Sequence, residues 1–303
     1  MGLVGMGLQG MAPAERSLPA AEVRFPEDFR ARLAALELRL SAARRRREGQ
    51  GTAGPATGGT DVVGFRPYRP GEDLRQLDWN LLARLDRPFV RVTRREAGES
   101  WVVALDTSAS MGVGPPGKLQ RGAECAAALW SLGRRLGARV RLALSPGAGS
   151  RAELFEGGGR NGAEGVLAFL EGRRAAGTAG LDELLEAPAW SRDASRLFAI
   201  GDLGLGAPER LFALRRGARE LSLLQLCAPQ ELSPQLGAVE WWDPEDGELL
   251  SIDVGEAECS RYHALLEQRL ESWRALAARH RVAYACRSSA EDFEELVRDL
   301  VAA

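Results

Sequence analysis

Asp106, Ser108 and Ser110 stand at alternate positions directly after the apolar run that starts at Trp101, in the stretch Trp101-Val-Val-Ala-Leu-Asp-Thr-Ser-Ala-Ser-Met111. Four apolar residues after a Trp, bounded by small polar ones, predict a buried strand that stops at Asp106. A turn at the carboxyl end of such a strand can aim one carboxylate and two hydroxyls at a single point. Oxygen donors of this kind suit a hard cation such as Mg²⁺. The same residues could instead form a Ser-rich turn that caps the next helix. On this stretch alone both readings stand.

Other chemistry is sparse. His263 and His280 are the only histidines, and their spacing suits no zinc motif. No Gly-x-Ser-x-Gly elbow is present for Ser-His-Asp catalysis. Gly112-Val-Gly-Pro-Pro-Gly117 matches Gly-x-Gly-x-x-Gly by letter. It follows the Asp/Ser turn rather than the strand end, Pro115 and Pro116 stiffen it, and Ser145 and Pro146 stand where a dinucleotide site needs an acid. An aspartyl phosphatase would use Asp106 as nucleophile, but Ser108 takes the place where haloacid-dehalogenase-like enzymes have a second Asp.

The elements that must position the oxygen donors follow from periodicity. Strands are predicted at Trp101–Leu105, Arg139–Leu144, Ala152–Phe155, Arg196–Ile200, Leu221–Cys227 and Val282–Cys286. Between them lie helical stretches at Lys118–Leu136, Gly162–Leu170, around Leu184 and Leu185, from Pro208, and at Arg261–Arg279; Glu291–Leu300 closes the chain as a helix. Alternating strands and helices predict an α/β fold, a Rossmann-like doubly wound and mostly parallel six-stranded sheet covered on both faces. Ligands gather at the carboxyl ends of such strands. Asp106, Ser108 and Ser110 follow the first strand and Asp202 the fourth, while Thr178 sits in a glycine-flanked loop before a helix. The five can converge, and that convergence favours the cation site.

Before the sheet, residues 1–60 read as a tail without period to about Ala21, a helix opened by Pro26-Glu-Asp, and a Gly-rich linker. The helix carries Phe29, Leu33, Leu36 and Leu40 on one stripe, facing either its own domain or another chain. It ends in Arg44 to Arg47, expected at a solvated helix end. Residues 61–98 form a distinct block that includes an alternating strand at Phe89–Thr93. Arg66 to Arg95 holds eight arginines against Glu72, Asp73, Asp78 and Asp86. Either these pair on the surface, Asp73 and Asp78 orienting guanidinium groups, or they form a docking face for an acidic partner. Residues 99–303 complete the α/β domain.

The 303 residues fit one large or two ordinary domains, and an apolar fraction of 45% allows a full core. A net charge of −2 sets up no global field toward nucleic acid or anionic lipid. Lys118 is the only lysine among 40 basic residues, which reads as compositional drift toward arginine. Cys125, Cys227, Cys259 and Cys286 form no Cys-x-x-Cys pair and fit a reducing compartment. With no run of roughly 18 apolar residues and no convincing signal peptide, a cytoplasmic location without a membrane span is expected.

Asp106-Thr-Ser-Ala-Ser110 resembles the Asp-x-Ser-x-Ser signature of von Willebrand factor A domains. Thr178 and Asp202 stand where that family completes its metal-ion-dependent adhesion site. Upstream, Arg66-x-Tyr68-x-x-Gly-x-Asp73-x-Arg75, with Asp78-Trp79 and Ala83-Arg84, resembles the bacterial domain of unknown function 58 family, whose members carry this block just before such a domain. Glu72 and Gly201 depart from the pattern, where Asp and Ser are usual. The resemblance implies that Ser108, Ser110 and Thr178 bind Mg²⁺ or Mn²⁺ through hydroxyls, with Asp106 and Asp202 acting largely through water. It further implies a non-enzymatic docking module completed by a Glu or Asp of a protein partner, and a MoxR-type AAA+ ATPase as associate in assembling or remodelling other proteins. Arg66, Tyr68, Asp73, Arg75, Asp78, Trp79 and Arg84 are the docking candidates. The competing readings are a nucleic-acid binder acting through its arginines, which the near-neutral charge disfavours, and a metal-dependent phosphohydrolase.

Overall fold

The computed structural model describes residues 7–8, 22–50, 61–68, 78–94, 99–147, 151–157, 162–186, 194–203, 220–245 and 247–302. In chain order the elements are β1 (Gly7–Leu8), α1 (Phe29–Gln50), β2 (Asp61–Pro67), α2 (Trp79–Leu85), β3 (Phe89–Arg94), β4 (Ser100–Leu105), α3 (Lys118–Arg135), β5 (Arg139–Leu144) and β6 (Glu153–Phe155). There follow α4 (Gly162–Leu170), α5 (Leu181–Glu186), β7 (Arg196–Gly201), β8 (Glu220–Cys227), the single turn α6 (Pro229–Leu232), β9 (Gly237–Trp242), β10 (Leu249–Val254), α7 (Glu256–His280), β11 (Ala283–Ser288) and α8 (Phe293–Ala302). Residues 1–42 and 99–303 form one compact unit, and residues 43–98 a second.

The first unit is built on a six-stranded sheet in the order β11-β8-β7-β4-β5-β6. All neighbours pair in parallel except β5 and β6, which are antiparallel. This is the doubly wound α/β architecture that alternating strands and helices predict. The strand alternation sorts β4 onto two faces. Trp101, Val103 and Leu105 join the core beneath α1, α3, α4 and α8, while Val102 and Ala104 join the core beneath α5 and α7. Every residue from Trp101 to Leu105 is fully buried, so a continuous apolar run rather than an alternating one is what this strand requires. The chain runs outward from β4 through β5 and β6, then returns to the other side of β4 as β7. The carboxyl end of β4 is therefore a point where strand order reverses.

The stripe on α1 packs within its own unit. Phe29, Leu33 and Leu36 are buried in the core, and the Phe29 ring lies 4.9 Å from that of Phe293 on α8. Arg44 to Arg47, expected at the helix end, lie inside α1, which continues to Gln50. Two further features depart from expectation. Gly7–Leu8, expected in a mobile tail, pairs antiparallel with Trp241–Trp242 of β9. Between β8 and α7, where the sequence predicts no element, β9 and β10 form an antiparallel hairpin with Trp242 opposite Leu249. Its alternation was obscured by adjacent tryptophans and an acidic connection. The linker expected at residues 49–60 begins inside α1, which runs to Gln50; residues 51–60, the rest of the tail and the helix expected from Pro208 lie outside the described residues.

In the second unit β2 and β3 form an antiparallel ribbon with an irregularity between Val62 and Gly64. Asp78 begins α2: its Oδ1 accepts the Leu81 N–H at 3.0 Å and its carbonyl accepts the Leu82 N–H at 3.0 Å. That is an N-cap, which satisfies a helix donor that would otherwise lack a partner. Among the described residues no helix is long and apolar enough to cross a membrane.

Candidate functional site

Asp106 emerges from β4 between β5 and β7, and the turn after it is fastened to both. The Asp106 N–H donates to the Ile200 carbonyl of β7 at 2.9 Å, and the Thr107 N–H donates to Ser145 Oγ, at the end of β5, at 2.8 Å. The Asp106 carboxylate bonds within the turn and to the residue that follows β5. Its Oδ1 accepts the Ser108 N–H at 2.9 Å and the Ser145 hydroxyl at 3.3 Å. Oδ2 faces two glycines: a Cβ on Gly180 would lie 3.2 Å from it, and one on Gly201 3.0 Å. The Gly201 Cβ would also stand 2.8 Å from Asp106 Cβ, closer than side-chain carbons approach. A side chain at position 201 would therefore have to displace Asp106 or Leu181.

Ser108 Oγ and Ser110 Oγ lie 3.1 Å apart, and both side chains are buried. Neither caps α3. That helix starts at Lys118 after Gly117 without a side-chain capping bond, and the short 3₁₀ turn Ala109–Gly112 also lacks one. The turn is thus not explained as a helix cap. Adjacent ligands of an octahedral Mg²⁺ at 2.0–2.1 Å are about 2.9 Å apart, which the two hydroxyls nearly match. Among the described residues no group of three or more His, Cys, Asp and Glu side chains gathers as a metal cluster. A cation here would be held largely by hydroxyls, as befits a hard ion.

The loop bearing Thr178 is sewn to this turn by its backbone. The Ala109 N–H donates to the Gly177 carbonyl at 2.8 Å, and the Ala176 N–H to the Thr107 carbonyl at 2.9 Å. Thr178 itself is exposed. Asp202 follows β7, and its charge reaches Asp106. Burial first, and the Asp202 carboxylate second, push the Asp106 carboxyl up to about 7. A buried acid crowded by another acid favours a cation or a proton nearby.

Sequence reasoning missed a further pair of charges. Lys118 is fully buried, its Nζ 3.1 Å from Asp202 Oδ2 and 2.8 Å from Glu231 Oε1 on α6. The other Glu231 oxygen, Oε2, accepts the Ala228 N–H at 2.6 Å, and the Tyr262 hydroxyl of α7 donates to the Glu231 carbonyl at 2.6 Å. Burial acts to lower the Lys118 pKa, but the two carboxylates outweigh it and hold the pKa above its usual value. A signal was present: one lysine in a chain whose other 39 basic residues are arginines. A compact ammonium fits a closed slot between two carboxylates better than a planar guanidinium does.

The docking candidates upstream are placed unequally. Trp79 is 64% exposed, Arg84 is exposed and Tyr68 half-buried, whereas Asp78 is 7% exposed and caps α2. Arg66 lies on β2. Asp73 and Arg75 lie outside the described residues. A search of curated proteins finds no match to the chain. A family profile described as "Protein of unknown function DUF58" matches residues 64–271, more than half of the chain.

Proposed function

The chain belongs to the DUF58 family, and on that premise we propose that it is a non-enzymatic, cation-dependent docking module for protein partners. The observation that carries this reading is the pair of buried hydroxyls, Ser108 and Ser110, 3.1 Å apart beside the buried Asp106 carboxylate. Ser108, Ser110 and Thr178 are the hydroxyl ligands in this reading, and Asp106 and Asp202 supply negative charge around them. When bound, Mg²⁺ or Mn²⁺ supplies a Lewis-acid corner that an acidic side chain of a partner can fill. Neutral hydroxyls leave much of the charge uncompensated, which gives an incoming Glu or Asp its affinity.

The partner class implied by the family resemblance is a MoxR-type AAA+ ATPase, with Trp79 and Arg84 as exposed candidate contacts. In this reading the Ser108 hydroxyl serves as a ligand rather than a nucleophile; it bonds to Ser110 and to the Asp106 carboxyl, and the only histidines, His263 and His280, lie on α7.

The test is thermal unfolding of the full chain with and without millimolar Mg²⁺ or Mn²⁺. At a cation concentration a hundred times its Kd the native state gains about 2.7 kcal/mol, read as a rise in midpoint. Asp106→Ala and Ser108→Ala are expected to remove that rise. Turnover of a generic phosphate ester would replace this reading with hydrolysis, and a steeply salt-dependent shift of duplex DNA would replace it with nucleic-acid binding.

A further inference from the structure

Lys118 is used by nothing in the docking mechanism as stated, yet it is among the most enclosed side chains of the protein, 1% exposed, with carboxylates 3.1 Å and 2.8 Å from its Nζ. We propose that Lys118 is a resident counter-ion that sets the ligand preference of the cation site, holding part of the charge of Asp202 so that the bound ion stays short of negative charge and accepts an external carboxylate. The inference rests on the cation-dependent docking reading and deepens it.

The geometry argues for a fixed charge rather than a swinging one. Lys118 is the first residue of α3. Glu231 is pinned through Oε2 by the Ala228 N–H and through its backbone by Tyr262. Asp202 is pinned through its carbonyl, which accepts Gln225 Nε2 at 3.1 Å, and Gln225 is held in turn by the Tyr284 hydroxyl at 2.5 Å. With both carboxylates anchored, the ammonium is held 3.1 Å from one oxygen of Asp202.

Charge then decides the preference. With a divalent ion bound and Asp106 ionised beside it, Asp106, Asp202 and Glu231 carry three negative charges against the one positive charge of Lys118, and the ion brings that cluster to neutrality. An incoming carboxylate then meets no excess of negative charge. Without the ammonium the same cluster would stay negative after the ion had bound, so it would hold the ion more tightly and repel the carboxylate. Lys118 thus exchanges affinity for the ion against affinity for the partner's acid. A side chain that merely braced the fold would move both affinities in the same direction.

The experiment compares Glu231→Gln with the double variant Lys118→Met/Glu231→Gln, which differ by the ammonium alone. Calorimetry with Mn²⁺ gives the ion affinity, and acetate titrated into the Mn²⁺-saturated protein gives the carboxylate affinity. The full chain is used throughout, and the unfolding midpoint of each variant is recorded. Restoring the ammonium, that is, going from the double variant to Glu231→Gln, is expected to weaken Mn²⁺ binding about tenfold and to strengthen acetate binding by a similar factor. Glu231→Gln, which is nearly isosteric, is also expected to bind Mn²⁺ more weakly and acetate more tightly than the unaltered protein. Affinities that move together, or not at all, overturn the counter-ion role while leaving the docking reading in place. An unaltered protein that binds no Mn²⁺ overturns both.

Discussion

Asp106 sits where a carboxylate is hardest to keep charged, inside the protein and beside a second acid. Two donors on Oδ1 offset part of that cost, and glycines at 180 and 201 leave Oδ2 with room in front of it. The close approach of Gly201 to Asp106 is a structural requirement of the site. Gly201→Ser is expected to force Asp106 off its position, because the new Cβ would stand 2.8 Å from Asp106 Cβ. The expected cost is about 1–3 kcal/mol of stability, as for other overpacked sites, together with loss of the Mg²⁺-dependent rise in midpoint. A Gly201→Ser protein as stable and as Mg²⁺-responsive as the unaltered chain would contradict the close packing described. Asp106, Ser108 and Ser110 are readable in the sequence because one turn contains all three. Lys118 and Glu231 are 113 positions apart, and nothing local announces their meeting.

At the scale of elements, ends matter more than middles. Six strands and their helices follow from apolar periodicity, since burial against a neighbouring layer imposes it. Helix ends depend instead on single residues. Asp78 caps α2 through Oδ1, so Asp78→Ala is expected to cost about 1 kcal/mol, measured as faster amide exchange at Leu81 and its neighbours. Arg281 closes α7 in the left-handed region at φ 53°, where a side chain is strained. Arg281→Gly should raise stability by about 0.5–1 kcal/mol, read as a higher chemical unfolding midpoint, and an unchanged or lower midpoint would count against that strain. The β9–β10 hairpin is not legible in the sequence for a local reason. Its outer positions Trp242 and Leu249 are 46% and 48% exposed, so no polar face marks the alternation.

For the molecule as a whole, α1 is the element whose role the chain order conceals. It precedes the Arg-rich block by sequence, yet Phe29, Leu33 and Leu36 complete the core beneath α3 and α8. Phe29→Ala is expected to destabilise the first unit by about 3–5 kcal/mol, the range for emptying a buried aromatic site, and urea unfolding of the full chain measures it. Trp79→Ala, at an exposed position, should change stability by no more than about 0.5 kcal/mol and serve as the contrast. The sequence by itself determined the layered α/β class, the six strands of the main sheet and the oxygen-bearing turn at the end of β4, because periodicity and turn chemistry act over a few residues. Only the tertiary structure decided that the turn caps no helix, that α1 packs inward, and that one ammonium stands between Asp202 and Glu231. Those outcomes follow from which strands become neighbours and which charges must find a partner once water is excluded, and neither is written in any short stretch of chain.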